Sequence, residues 1–380
     1  MNIREIIDGT LLLHWIILGL FLAAFLFQMG IYFFVFLRFP LYRKKNRSES
    51  TPGISVIISA KNEEKNLEHF LPHVLRQEYP EFEVVVVNDG STDNTEQVLM
   101  DLAAQFDQLR YTSIPADEKL KRGKKLALTI GMKSAKYDHI LLTDADCYPV
   151  SDHWLKRMAS NFSDDHRIVL GYGGYERHNG LLNTIIRYET TFTAMHYFSM
   201  AIIGRPYMGV GRNLAYEKAL FFDNKGFAGH YHILSGDDDL FVNENATRTN
   251  CTVEYSPESH TCSLPESTFR TWIKQKKRHL SAGSHYKTGS RIGLASEWIS
   301  RIILYTTLIW ICVSSPWSLP VCALFGILLI SRLIIFKMGM RRLDEKYLLL
   351  PSLLLDPVFP VILGLIWLSS RFEKKYQPWR

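Results

Sequence analysis

Asp144 and Asp146 stand one residue apart where the apolar run Ile140, Leu141 and Leu142 ends, in the stretch ILLTDADCYP. Two like charges this close repel, and an aspartate is seldom buried without a partner. Residues two apart in an extended segment project to the same face. Two hard oxygen ligands on one face, with the remaining coordination left open, suit Mg2+ or Mn2+ shared with the phosphates of a substrate. A second acidic cluster, SGDDDL at 235–240, puts Asp237, Asp238 and Asp239 in a row. One of these can cap the following LFVNENA helix, but three exceed what a cap needs. The basic stretch WIKQKKRHL at 272–280 adds Gln275, Arg278 and His279. An arginine there can make paired hydrogen bonds to a diphosphate, and the same stretch also reads as a basic helix lying on lipid headgroups.

The elements that must position these residues follow from periodicity. GISVIISAKNEE (53–64) is a glycine, an unbroken apolar run and a polar turn, which predicts a strand buried on both faces of a parallel sheet. FEVVVVNDGSTDNT (82–95) repeats that plan, and LRYTSIP begins a third unit that leads through GKKLALTIGMKSA into the Asp144 strand. Strands alternating with helices predict a doubly wound α/β sheet, whose ligands bind outside the carboxyl ends of the strands. Asn62 and Glu63, then Asp89, then Asp144 and Asp146 would therefore share one rim. Asp89 also reads as a turn residue, and Asp93 as a helix cap.

Apolar runs flank this unit. Residues 11–37 contain no Asp, Glu, Lys or Arg, longer than the roughly 20 residues that span a bilayer core and too long for a signal peptide. Residues 302–315 and 317–336 are apolar runs split at Pro316-Trp317. A further run, 347–369, is interrupted by Pro351, Asp356, Pro357 and Pro360, so it reads either as a full span or as a re-entrant segment facing protein or water. Arg38, Arg43, Lys44, Lys45 and Arg47 follow the first run and only Arg4 precedes it. By the positive-inside rule this places the central unit in the cytoplasm, in an integral protein of the cell (inner) membrane. The net charge of +6 is concentrated beside the apolar runs, where it meets anionic lipid, so nucleic acid is not the expected partner. The five cysteines lack metal-ligand spacing and read as packing residues.

The ordered set ISAKNEE, VVNDGSTD, TDADCYP, GVGRNLAY, SGDDDL and QKKRH, spread over about residues 53–280 between apolar segments, resembles membrane-embedded glycosyltransferase family 2. That family's inverting enzymes have a GT-A fold and use nucleotide-diphosphate sugars; the branch includes synthases of cellulose, hyaluronan, chitin-like oligosaccharides and poly-N-acetylglucosamine. The resemblance implies a GT-A (Rossmann-like, mostly parallel sheet) cytoplasmic domain between transmembrane helices. Residues 1–48 would be a membrane helix with a basic juxtamembrane segment, 49–270 the GT-A catalytic domain, 271–295 an interfacial helix with a gating loop, and 296–380 a membrane region of two to three segments.

Site roles implied by the resemblance are as follows. Ala60 and Glu63 would lie by the base and ribose of a UDP-type donor, with Asp89 contacting the base. Asp144 would sit by the ribose and donor sugar, and Asp146 would hold the Mg2+ or Mn2+. Lys124 would neutralise phosphate, unless it is only a solvated helix start. Gly211 and Asn213 would approach the donor sugar, unless GVGRN is only a glycine-rich turn. Asp237 matches the family's general base, with Asp238 its nearest rival. Gln275 and Arg278 match the QxxR part of QxxRW, and His279 stands where that motif has tryptophan. His285, Tyr286 and Lys287 would belong to a loop closing over the donor. The partners implied are a nucleotide-sugar donor, a glycan or lipid-linked acceptor, and membrane lipid; no residue identifies a secretion partner. The leading reading is extension of a polysaccharide or oligosaccharide. Transfer of one sugar to a polyprenyl-phosphate or glycolipid is the alternative that His279 favours, and a catalytically silent nucleotide-binding scaffold is a third.

Overall fold

The structure, a computed structural model, describes residues 3–44, 51–115, 123–233, 235–314 and 316–372. The chain enters through α1 (Ile3–Ile31), which runs through a wider π-helical turn, Tyr32–Phe36, into the single turn α2 (Arg38–Leu41). Strands and helices then alternate as their apolar runs predict: β1 (Ile54–Ala60), α3 (Glu64–Leu75), β2 (Phe82–Asn88), α4 (Thr95–Ala103), β3 (Leu109–Ser113), α5 (Lys124–Ser134) and β4 (His139–Leu142). Shorter elements follow: β5 (Cys147–Pro149), α6 (Trp154–Ala159), β6 (Ile168–Leu170) and β7 (Gly173–Tyr175). The 22-residue α7 (Leu181–Ile202) comes next, then β8 (Leu214–Glu217), α8 (Lys218–Asp223), α9 (Asp239–Asn245), β9 (Cys251–Val253) and β10 (Thr261–Ser263). Four helices close the chain: α10 (Phe269–Gly283), α11 (Thr288–Ser314), α12 (Ser318–Arg342) and α13 (Leu349–Phe372).

The main sheet has the order β3-β2-β1-β4-β8-β6-β9. β1 to β4 run parallel, β8 is antiparallel to both β4 and β6, and β9 is parallel to β6. All seven residues of β1 are buried, because helices cover both faces. Val56 and Ile58 pack with Leu67, Leu71, Leu99 and Trp154 on one side. Ile57 packs with Leu128, Met132, Tyr216 and Phe241 on the other. This second core continues through Tyr188 and Phe198 of α7 to Phe36, Leu328 and Ile335 of the apolar helices. A small sheet, β5-β10-β7, stands beside the carboxyl ends of the main one.

Four helical stretches among the described residues are long and apolar enough to cross a membrane: Leu11–Leu41, Thr288–Ser314, Ser318–Arg342 and Leu349–Ser370. Residues 347–369 are open to two readings, a full span or a re-entrant segment, and their helical part is unbroken. α13 is one continuous helix of 24 residues that contains Pro357 and Pro360. Its carboxylate, Asp356, faces protein: Arg301 Nη1 lies 3.4 Å away, and Arg332 and the Tyr305 hydroxyl also bind it. Arg301 pairs in turn with Glu297, and Gln28 of α1 donates to Ser300 Oγ at 2.8 Å. The charges at depth are thus paired with opposite charges, as burial in a bilayer demands. Asp356→Ala leaves two guanidinium groups buried without it and should cost about 3–5 kcal/mol, read as a fall in the thermal unfolding midpoint in detergent.

Candidate active site

The carboxyl ends of β1, β2 and β4 lie side by side, so their loops form one rim. The first two loops are laced together. Asn62, with a left-handed φ of 55°, accepts from Thr92 N–H at 2.8 Å through Oδ1 and donates its own N–H to Ser91 Oγ at 2.8 Å. Asp93 accepts from Thr95 Oγ1 at 2.6 Å and from Glu64 N–H at 3.2 Å, and therefore serves the two helix starts, as its cap reading expects. Ala60 and Asp89 form the buried floor, joined by a bond from Asp89 N–H to Ala60 O at 2.8 Å. Glu63 stands above them, accepting from Asn66 Nδ2 at 2.6 Å.

Burial pushes the Glu63 carboxyl up to about 7 from an ordinary 4.5, and the charges of Asp146, Asp144 and Asp93 add to that rise. Ionising it therefore costs the folded state stability as pH rises from about 4.5 through 7. In cation-free protein, Glu63→Gln should unfold at a higher temperature than wild type at pH 8. The difference should vanish toward pH 4.5, which paired melting curves would read.

The two DAD carboxylates converge by a route other than an extended strand. β4 ends at Leu142, and Cys147 N–H returns to Asp144 O at 3.1 Å, closing a turn. The ligand atoms of Asp144, Asp146 and Cys147 all lie within 4.8 Å of one another. Ser263 of β10 donates to Asp146 Oδ2 at 3.3 Å, so the small sheet braces the second carboxylate. Burial and then the neighbouring Asp144 charge raise the Asp146 carboxyl. The Cys147 thiol is held far above its ordinary range by burial and stays protonated, so the hard-ion donors here are the two carboxylates. That donor set fits Mg2+ or Mn2+ with coordination left for phosphate oxygens.

Lys124, the first residue of α5, joins the two acidic clusters. Its Nζ lies 2.8 Å from Asp144 Oδ1 and 2.9 Å from Asp237 Oδ2. It is therefore no solvated helix start. Burial alone would lower its ammonium, but Asp144, Asp237 and Asp238 hold it well above the usual range. The three aspartates have three different partners. Burial pushes the Asp237 carboxyl up, but Lys124 outweighs it and holds the group below the usual range. Asp238 accepts from Gly211 N–H at 2.6 Å and from Asp239 N–H at 2.7 Å, capping α9. Asp239 accepts from the Tyr286 hydroxyl at 2.7 Å, and burial, then Asp238, push it up to about 7.

Two glycines make this crowding possible. A Cβ on Gly211 would sit 3.2 Å from Asp238 Oδ2 and 3.5 Å from Lys124 Nζ. Gly236 has φ +90°, and a Cβ there would meet Leu240 Cδ1 at 2.3 Å.

Three expectations are corrected. Asn213 is fully buried and its amide is occupied: Nδ2 donates to Tyr172 O at 2.8 Å and to Ser259 O at 2.7 Å, while Oδ1 accepts from Trp154 Nε1 at 3.0 Å. It ties the two sheets together and presents nothing to a donor. The gating-loop reading of His285, Tyr286 and Lys287 is also corrected, because they lie in the four-residue connection between α10, which runs to Gly283, and α11, which begins at Thr288. Tyr286 is buried on Asp239, and Lys287 Nζ donates to Glu244 O at 3.1 Å. Finally, the face of α10 carrying Trp272 and Lys276 is turned to protein, with Lys276 paired to Glu189 of α7 at 2.6 Å, so this lysine does not lie on headgroups.

On α10, Gln275 is half-buried, and Arg278 and His279 are exposed. The helix is fixed to the acidic turn by Ser235 Oγ, which donates to Arg278 O at 2.9 Å. Desolvation, then Lys276, Arg278, Arg212 and Lys124, push the His279 imidazole well below the usual range, so it is neutral at pH 7.

Sequence reasoning missed three participants. Arg212 packs its guanidinium 4.1 Å from the Tyr175 ring centroid and donates to Gly174 O at 3.2 Å. Asp146 and Asp144 are among the negative groups that keep it charged against its burial. Lys125 Nζ donates to His230 O at 2.6 Å and Ile233 O at 2.9 Å, holding the segment that leads to SGDDD; burial lowers it to about 8. Ser235 is the third. Only Arg212 carried a signal, as the one cation inside GVGRN.

Residues 55–223 match the family model described as Glycosyl transferase family 2. The poly-beta-1,6-N-acetyl-D-glucosamine synthase of Staphylococcus epidermidis (strain ATCC 35984) is 32% identical over 130 residues, which are 33% of this chain and 30% of that protein. The protein of the same name in Staphylococcus aureus (strain COL) is 30% identical over 151 residues, 39% of this chain and 35% of that one. The matched part thus spans about a third of the length of these curated relatives. Among solved structures, the mannosyltransferase PcManGT from Pyrobaculum calidifontis, in complex with GDP-Man and Mn2+, superposes with a TM-score of 0.60 at 17% identity. The superposition covers 94% of this chain and 99% of that one, and it shows a shared GT-A-like fold.

Proposed function

We propose, from a chain whose residues 55–223 match glycosyl transferase family 2 within a GT-A-like fold, that this protein is a membrane-integral inverting glycosyltransferase. It moves a sugar from a nucleotide-diphosphate sugar, of UDP type, to a growing polysaccharide or oligosaccharide. Residues 49–270 are the catalytic domain on the cytoplasmic side of the cell membrane, held by the apolar helices on either side. The observation that carries this reading is Lys124, one ammonium contacting both Asp144 and Asp237.

Asp144 and Asp146 would hold Mg2+ or Mn2+, which when bound supplies positive charge to the departing diphosphate. The protein's own cations, Lys124, Arg212 and Arg278, take up charge on the same group. Gln275 lies on the helix that presents Arg278. Ala60, Glu63 and Asp89 form the floor and wall for base and ribose. Asp237 removes the proton of the acceptor hydroxyl as that hydroxyl attacks the anomeric carbon. Paired to Lys124, Asp237 is too acidic to be an efficient base. An arriving diphosphate gives Lys124 a stronger partner, which lets the Asp237 carboxyl rise toward a useful range. Asp238 is spent on capping α9, which supports Asp237 over its neighbour as the base.

One observation favours a second reading, transfer of a single sugar to a lipid-linked acceptor. His279 is a neutral imidazole where a stacking tryptophan would grip a long glycan. The test is a radiolabelled assay on membranes containing the protein, with UDP- and GDP-sugars and Mn2+ or Mg2+, followed by organic extraction and sizing. Label in a large water-soluble product supports polymer extension. Label only in a small organic-soluble product moves the function to the second reading. No labelled product from any donor would leave only a nucleotide-binding scaffold.

A further inference from the structure

The cysteines fall into two environments. Cys147 and Cys251 are buried and Cys262 is half-buried in the sheet domain, whereas Cys312 and Cys322 are exposed. Cys312 lies near the end of α11 and Cys322 near the start of α12, on either side of the Pro316-Trp317 turn. Their sulfurs are 3.4 Å apart. A disulfide brings them to about 2.05 Å, and the helical hairpin already faces one side chain toward the other.

Other residues locate this end of the bundle. Trp15 and Trp317 pack with ring centroids 5.7 Å apart, Trp310 packs on His14 at 4.9 Å, and His14 Nε2 is hydrogen-bonded to Ser314 O at 2.7 Å. Clustered tryptophans mark a membrane–water boundary. At the opposite end, Arg38 begins α2 and Lys337, Arg341 and Arg342 lie in the last turns of α12, with the Arg342 guanidinium 5.3 Å from the Tyr255 ring centroid of the sheet domain. With that domain in the cytoplasm, the two thiols face the outer compartment, where disulfides persist. This inference rests on the membrane orientation given above.

We propose that Cys312 and Cys322 are a modification site, a dithiol closed to a disulfide by exchange with a disulfide-bearing oxidoreductase at the outer face. One thiolate attacks the oxidant's disulfide, forming a mixed disulfide and releasing one oxidant thiolate. The second thiolate displaces the other oxidant sulfur. Two electrons pass to the oxidant, which ends as a dithiol, and the two cysteine protons go to solvent or to its thiolates. The bond staples α11 to α12. Because residues 284–287 alone separate α11 from α10, the staple braces the helix that leads directly into the site.

The test uses the full-length protein in intact cells. The cells are lysed in denaturant with excess maleimide so that buried free thiols are blocked too, the protein is then reduced, and newly exposed thiols take an isotopically heavy maleimide before peptide mapping. The heavy label is expected on Cys312 and Cys322, and the first label on Cys147, Cys251 and Cys262. In Cys322→Ser the first label should move to Cys312; heavy label persisting there would mean pairing with another molecule and overturn the proposal. A membrane-impermeant maleimide then separates the two premises. Labelling of Cys312 in Cys322→Ser only after the cells are opened would overturn the orientation, and the proposal with it. Labelling from outside, with both thiols of the wild type still free, would overturn the disulfide and leave the orientation standing.

Discussion

Asp237→Asn should lower sugar transfer by about 10²–10⁴-fold, the usual contribution of a positioned general base, with nucleotide affinity nearly unchanged. Asparagine keeps the shape of aspartate but accepts no proton at neutral pH. Lys124 loses one of its two carboxylate partners and keeps Asp144 at 2.8 Å, so its hold on the rim survives. Asp238→Asn is the matched control. Asparagine caps a helix about as well as aspartate, so its one oxygen can keep the bond from Asp239 while the bond from Gly211 is lost, and activity should fall far less than in Asp237→Asn. Initial rates at saturating donor, beside calorimetric binding of UDP, read both effects. Full turnover in Asp237→Asn with collapse in Asp238→Asn would exchange the roles of the two residues.

Asp146→Ala should weaken cation-dependent binding of a nucleoside diphosphate by at least about 100-fold. Replacing residues that merely orient metal ligands already costs 10–100-fold, and Asp146 is placed to be a ligand itself, within 4.8 Å of the Asp144 donor. Loss of the carboxylate also frees Ser263, which braces it, without touching the Lys124 bridge. In the wild type, EDTA should reproduce the loss and Mn2+ or Mg2+ should restore it. In Asp146→Ala, neither addition should matter. Equal UDP affinity with and without EDTA in the wild type would take the DAD carboxylates out of cation binding.

The parallel half of the sheet was legible because β1, β2 and β4 are covered on both faces, and that burial leaves unbroken apolar runs with polar ends. The membrane helices were legible for the related reason that a bilayer needs a long uncharged run. The motif residues at the strand ends were legible because a parallel sheet sends its carboxyl ends to one rim whatever the loops do. Loop geometry was not legible in this way. The DAD carboxylates meet through a turn, since β4 stops at Leu142, and no alternation pattern signals a turn of that kind. Asn213 looked like a ligand residue because asparagine in a glycine-rich segment can be either a contact or a tie. Only the positions of Trp154, Tyr172 and Ser259 decide which, and all three are distant in sequence.

By itself, then, the sequence determined an α/β domain between apolar helices, with acidic strand ends gathered on one rim. These features depend on local periodicity and on the arithmetic of burial. The tertiary structure decided that α13 is continuous and that Asp356 is neutralised by Arg301 and Arg332 from two other helices. It also decided that Tyr286 is locked on Asp239, and that Lys124 stands between Asp144 and Asp237. Each of these is a pairing of charges or hydrogen-bonding groups far apart in the chain. Such pairings are selected by the packing of whole elements, so no short stretch of sequence contains them.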